Sequence, residues 1–207
     1  MWSVRADRVK VTRVRYAERV TSPIMQEVWD RYGYVGYLFA AAVPLVALAL
    51  VGIVALRRRR GVPRTTAWRD TVAEVGLVAG TAPWLIMGFI PHWEATRKVH
   101  PVPFVDLIDQ WHVGPGFFAI QVGANLSFFA AAGFFVPIRW PVGPGVILVG
   151  AAVASALLEI GQWVLDIGRV TSVDDVLVNA VGAWLAALCA APWWARRRSG
   201  DMTIAPA

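Results

Sequence analysis

The chain is predicted to be all-α: a polytopic membrane helical bundle with about five transmembrane helices. Three observations carry this expectation. Of its 207 residues, 57% are hydrophobic and 16% charged, with a mean hydropathy of +0.53, a membrane rather than a soluble composition. The apolar residues fall in runs close to the ~20 residues that cross a ~30 Å hydrocarbon core. The basic residues gather in short clusters beside those runs, which is how membrane topology is encoded. The net charge of +6 is therefore read as topology, with no nucleic-acid partner.

Residues 1–33 carry Arg5, Arg8, Lys10, Arg13, Arg15, Arg19 and Arg31 without an apolar core. They read as a flexible basic N-terminal segment and not as a signal peptide. Residues 1–24 are a tail or lie ahead of the true start; a basic amphipathic surface helix is the competing reading. The transmembrane domain is residues 34–194, and residues 195–207 form a basic cytoplasmic tail.

Within the domain the predicted spans are 34–56, 71–90, 117–138, 142–165 and 176–194. Helices are expected for them, because strand-like alternation is absent and backbone groups in lipid must be satisfied internally. Pro44 and Pro83 are expected to bend the first two locally. Trp68, Trp93, Trp111, Trp140, Trp193 and Trp194 fall near span ends, as an aromatic belt requires. Loops are short except between the second and third spans. Arg57 to Arg60, Arg64, Arg69, Arg139 and Arg196 to Arg198 fall on one side of the membrane. The positive-inside rule makes that side cytoplasmic, which places the N-terminus outside and the C-terminus inside.

Residues 155–182, SALLEIGQWVLDIGRVTSVDDVLVNAVG, hold the polar groups most out of place in lipid. Each ionisable group at a helix centre costs roughly 2.5–3.5 kcal/mol on insertion scales. At about 100° per residue, Glu159, Gln162 and Asp166 lie within roughly 60° on one helix face, with Arg169 at its edge. The topology brings Asp174, Asp175 and Asn179 to the outer end of the fifth span and Asn125 to the same depth in the third, with Gln121 one turn above it. The candidate site is therefore Asn125, Glu159, Gln162, Asp166, Arg169, Asp174, Asp175 and Asn179. Two readings stay open: an outward-facing pocket, with Arg169 pairing Asp174, Asp175 or Glu159, or hydrogen-bonding glue between helices. Ser172 can cap the fifth helix, with Asp174 and Asp175 suited to its dipole. Gly182 is read as a site of close helix packing.

Other chemistry is thinly represented. Asp109 and His112 are three residues apart, with His92, His100 and Asp106 in the same loop, but nothing completes a metal site and no metal is expected. Glu74 reads as an interface residue. Cys189 stands alone, so no disulfide framework forms within one chain. No phosphate-binding loop, nucleophile elbow or dinucleotide fingerprint occurs, and no cofactor is expected.

These residues resemble the VanZ-like family of bacterial membrane proteins, named for a factor linked to teicoplanin resistance. Glu159 and Gln162, Gly168-Arg169, Asp174-Asp175, and Asn179 with Gly182 match the family's C-terminal motif. Asn125, Phe129, Gly133 and Phe134 are similar to its upstream segment, and His100 to Phe104 to its loop. Ala131, Ser172, His100 and Ala186 depart from its pattern. The resemblance covers roughly residues 35–194. It implies a VanZ-like transmembrane domain at the cell envelope of a bacterium, with a role in glycopeptide antibiotic (teicoplanin) resistance. The expected function is binding, through the outer-leaflet pocket, of a lipid-linked cell-wall precursor or a glycopeptide, with the bilayer as obligatory partner. The alternative is a membrane enzyme using Glu159 and Asp175 as acid–base groups on a lipid or cell-wall precursor. A transporter is disfavoured because the inner halves of spans four and five are nearly all apolar.

Overall fold

The structure, a computed structural model, describes residues 33–34, 36–38, 40–91 and 98–193. The expectations for the basic segment before Gly33, for the cytoplasmic tail, and for His92, Trp93, Arg97 and Trp194 lie outside the described residues. Two compact units are distinguished, residues 1–49 and 50–207. What is described of the first is helical, and from Gly36 it belongs to α1, Gly36–Arg59.

The second unit continues α1 and adds α2 (Arg64–Gly88), β1 (Lys98–His100), α3 (Val105–Val113), α4 (Pro115–Phe128), α5 (Ala130–Arg139), α6 (Pro144–Val164), β2 (Val170–Ser172) and α7 (Val173–Cys189). Four helical segments are long and apolar enough to cross a membrane: Gly36–Arg59, Arg64–Gly88, Pro115–Arg139 and Pro144–Val164. With the 17-residue α7, this is the all-α membrane architecture of about five spans. α1 and α2 are assigned as helix through Pro44 and Pro83. α4 and α6 each begin with proline at the first position after glycine, where the missing N–H is not needed and φ is already helical.

Two features differ from the sequence expectation. The third span is two helices, interrupted at Phe129 (φ −107°, ψ 12°). Ser127 Oγ donates to the Gly123 carbonyl at 2.8 Å, a contact that competes with helix hydrogen bonding and bends helices. The loop before that span carries the short helix α3 and the strand β1. β1 pairs in parallel with β2, Val99 opposite Thr171, so the only sheet among the described residues lies in loop segments, outside the spans. As the cap reading of Ser172 requires, α7 starts at Val173, ahead of its apolar run, where Ser172 Oγ accepts the Asp174 N–H at 3.1 Å.

Small residues let the helices touch. α7 packs on α4, α5 and α6, and α5 packs on α2. A Cβ at Gly182 would overlap the Leu126 carbonyl of α4, and one at Gly133 would overlap the Ala183 carbonyl of α5's neighbour α7. Adjacent residues of α7 thus meet backbone on both halves of the broken span. Along α2, Gly76 faces the Phe135 ring and Gly80 faces Ala131. In lipid, where apolar surface gains little by leaving the solvent, such close approach supplies the packing energy.

In the N-terminal half of α2, Glu74 accepts from Arg57 Nη2 at 2.6 Å and from Arg139 Nε at 2.5 Å. Arg57 also donates to Thr71 Oγ1 at 3.0 Å. Asp70 pairs with Arg69 at 2.9 Å and with Arg139 at 3.9 Å. Glu74, an interface residue by sequence, ties α2 to Arg57 of α1 and Arg139 of α5.

The two glycine environments give opposite expectations. Gly182→Ala forces a methyl into the Leu126 carbonyl, and overpacking costs about 1–3 kcal/mol, so thermal unfolding in detergent should shift down clearly. Gly150→Ala meets nothing within 4 Å and removes helix-interior glycine, so its melting temperature should be unchanged or higher.

Candidate functional site

At the Gly88 end of α2, away from the arginine cluster, a cavity of about 470 Å³ is lined by the β1–α3 segment, α4, α6, the α6–β2 turn and α7. Of the eight residues singled out by sequence, Asn125, Glu159, Gln162, Arg169, Asp175 and Asn179 line it. Their hydrogen bonds tie the elements together. Asn125 Nδ2 donates to Asp175 Oδ1, joining α4 to α7. Asn179, 2% exposed, donates through Nδ2 to Ser155 Oγ at 2.8 Å, joining α7 to α6. Its Oδ1 is buried with no hydrogen-bond partner in the protein.

Glu159, 6% exposed, accepts the Ser172 N–H at 3.1 Å through Oε2. This fixes the cap residue of α7 against α6. Gln162 Nε2 donates to the Gly88 carbonyl at 2.8 Å, and Arg169 Nη2 donates to the Met87 carbonyl at 2.8 Å. Both add a side-chain donor to carbonyls of the last turn of α2, of which Met87 also accepts the Ile90 N–H at 3.2 Å, and the guanidinium also suits the negative end of that helix dipole.

The remaining two residues lie elsewhere. α6 ends at Val164, and Asp166 follows in the left-handed region at φ 49°. It is exposed and outside the cavity lining. The face shared with Glu159 and Gln162 holds only while the helix continues, and the chain turns before reaching it. Asp174, 1% exposed, is behind the cavity. Its Oδ1 accepts the Phe104 N–H at 2.5 Å and its Oδ2 the Leu107 N–H at 3.1 Å. A residue of α7 therefore caps α3 from outside and holds Phe104 at φ 69°, a conformation that costs a bulky side chain roughly 1–2 kcal/mol.

The cavity has a further wall that the candidate set omits: Lys98, His100, Asp106, Asp109, Gln110 and, from α4, Gln121. His100 Nδ1 lies 3.2 Å from Asp106 Oδ1, and Gln110 Nε2 donates to Asp106 Oδ2 at 2.6 Å. A signal for this wall existed in the sequence. Asp106, Asp109, Gln110 and Val113 recur at helical spacing, and Gln121 shares a face with Asn125. Among the described residues no group of three or more His, Cys, Asp or Glu is placed to hold a metal ion.

Asp174→Ala should release α3. Both N–H groups lose a buried carboxylate acceptor, a contact of about 1.5–3 kcal/mol when charged. Hydrogen–deuterium exchange should rise over residues 104–110 while the α2–α5 packing region stays protected, and Asp174→Asn should give a smaller rise because one acceptor remains.

No curated protein and no solved structure matches the chain. The VanZ/LLP1 family model matches residues 45–195, which takes in every cavity residue and the helix crossing at Gly182. On that match, together with the membrane-spanning helices, the chain belongs to the VanZ/LLP1 family.

Proposed function

We propose that this protein acts at the bacterial cell envelope by binding the polar part of a lipid-linked cell-wall precursor or a glycopeptide in the cavity. The observation that carries the reading is the convergence of Asn125, Glu159, Asp175 and Asn179, from three spans, on one cavity. Hydrogen-bonding glue explains the Asn125–Asp175 and Asn179–Ser155 contacts, but it needs no cavity. The arginine cluster at the other end of α2 supports an orientation by the positive-inside rule. Arg57 to Arg60, Arg64, Arg69 and Arg139 face the cytoplasm, the cavity opens toward the outer leaflet, and the N-terminus is outside with the C-terminus in the cytoplasm. A role in teicoplanin resistance rests on the family resemblance.

A second reading is supported by one feature. Glu159 and Asp175 line the same cavity from α6 and α7, which is the arrangement acid–base chemistry on a bound lipid or precursor would use. The two readings share a site and differ in whether the ligand leaves changed.

Both are tested in a deletion strain complemented with variants. Glu159→Gln keeps the acceptor for the Ser172 N–H and removes the charge. It should reach the membrane at wild-type amounts yet fail to restore glycopeptide resistance or the lipid-linked precursor profile. Asp166→Asn, outside the cavity, should behave as wild type. A Glu159→Gln strain indistinguishable from wild type in both assays would reduce the cavity to a packing feature. Accumulation of a modified precursor that depends on Glu159 and Asp175 would favour the enzyme.

A further inference from the structure

The hydrogen-bond inventory of the cavity is lopsided. Four of its side-chain amides each commit one N–H to the protein itself: Asn125 to Asp175, Asn179 to Ser155, Gln162 to Gly88 and Gln110 to Asp106. Arg169 donates to Met87. The acceptors outnumber these internal donors. Four carboxylates, Asp106, Asp109, Glu159 and Asp175, line the cavity against the cations Lys98 and Arg169. Independently, the Asn179 Oδ1 is buried without a hydrogen-bond partner in a residue 2% exposed. A buried acceptor left without a partner is costly, and several carboxylates sharing one partly desolvated space repel one another. A ligand that donates hydrogen bonds and carries positive charge relieves both.

The outer wall indicates where such a ligand comes from. α3 turns Asp106, Asp109 and Gln110 to the cavity, while Ile108 and Trp111 on its other side are 54% and 57% exposed. α3 runs through Gly114 directly into the membrane-crossing α4, so this apolar face meets the bilayer boundary, as interfacial amphipathic helices do. One short helix separates the cavity from this exposed apolar face.

We propose that the cavity binds a primary ammonium group carried on the polar head of a membrane lipid. This rests on the cavity being the working site and names the chemistry of what enters it. The ammonium donates to the Asp175 and Glu159 carboxylates and to Asn179 Oδ1, and the acyl chains stay in the bilayer beside α3.

The test uses purified full-length protein in detergent, titrated with phosphatidylethanolamine, N-acetyl phosphatidylethanolamine and phosphatidylglycerol and read by native mass spectrometry. A charge-assisted hydrogen bond contributes about 1.5–3 kcal/mol, so the free amine should bind about ten-fold or more tighter than its acetylated form. Asp175→Asn should erase that preference and Asp166→Asn should keep it. The comparison of lipids on the wild-type protein stands even if a variant folds poorly. Equal binding of the acetylated and free amine would overturn the proposal. So would tighter binding of phosphatidylglycerol, displacement of the amine by millimolar magnesium, or free ethanolamine binding as well as the lipid. If amine selectivity is absent while Glu159→Gln still loses function in cells, only the ligand chemistry falls. If Glu159→Gln is functional, the reading of the cavity as the working site falls instead.

Discussion

Everything at the cavity end depends on how closely α7 can approach the broken third span. Gly182 against the Leu126 carbonyl and Gly133 against the Ala183 carbonyl bring three helix backbones to a separation that no side chain at either glycine would permit. Asn179 and Asp175 precede Gly182 by about one and two turns and share its face. Fixing Gly182 against Leu126 therefore also aims them at α4, where Asn125 is the residue before Leu126. The polar contact follows from the apolar one. Hydrogen bonds between membrane helices are individually modest, about 0.6–2 kcal/mol, so the steric fit sets the geometry and the hydrogen bonds select within it.

The two ends of the second unit handle charge in opposite ways. At the arginine end Glu74 and Asp70 each meet guanidinium groups directly, in ion pairs that satisfy both signs. At the cavity end the carboxylates meet amides and backbone N–H groups: Glu159 takes Ser172, Asp175 takes Asn125, and Asp174 takes Phe104 and Leu107. One end closes its carboxylates with guanidinium groups, and the other holds Glu159, Asp174 and Asp175 with neutral donors. Asp174 shows the cost of the second arrangement, because a full carboxylate is buried to hold the α3 wall over the cavity.

The sequence disclosed the parts whose signals are local. Apolar run length located the spans, Ser172 announced its cap, and Gly182 its close contact. Matched depth in separate spans was enough to gather Asn125, Glu159, Asp175 and Asn179. What it concealed depends on backbone events that composition does not encode. The end of α6 at Val164 and the left-handed Asp166 cut short a helical phase that looked continuous. The break at Phe129 has no proline to mark it. The α3 wall was hidden for a different reason: its polar residues read as a loop until a helix places them on one side. Asp174 was legible as a first-turn acid, but its bond to a segment about 70 residues away exists only in three dimensions.

The central claim is that α4 and α7 meet through Asn125 and Asp175 at the wall of a polar cavity. Cysteine cross-linking in native membranes tests it most directly, with Asn125→Cys and Asp175→Cys combined in a Cys189→Ala background. Mild oxidation should join the two thiols and protect both from a membrane-permeant maleimide, in protein that still reaches the membrane. Two thiols that stay separately alkylatable under the same oxidation, in protein of wild-type abundance, would place α4 and α7 apart and contradict the account.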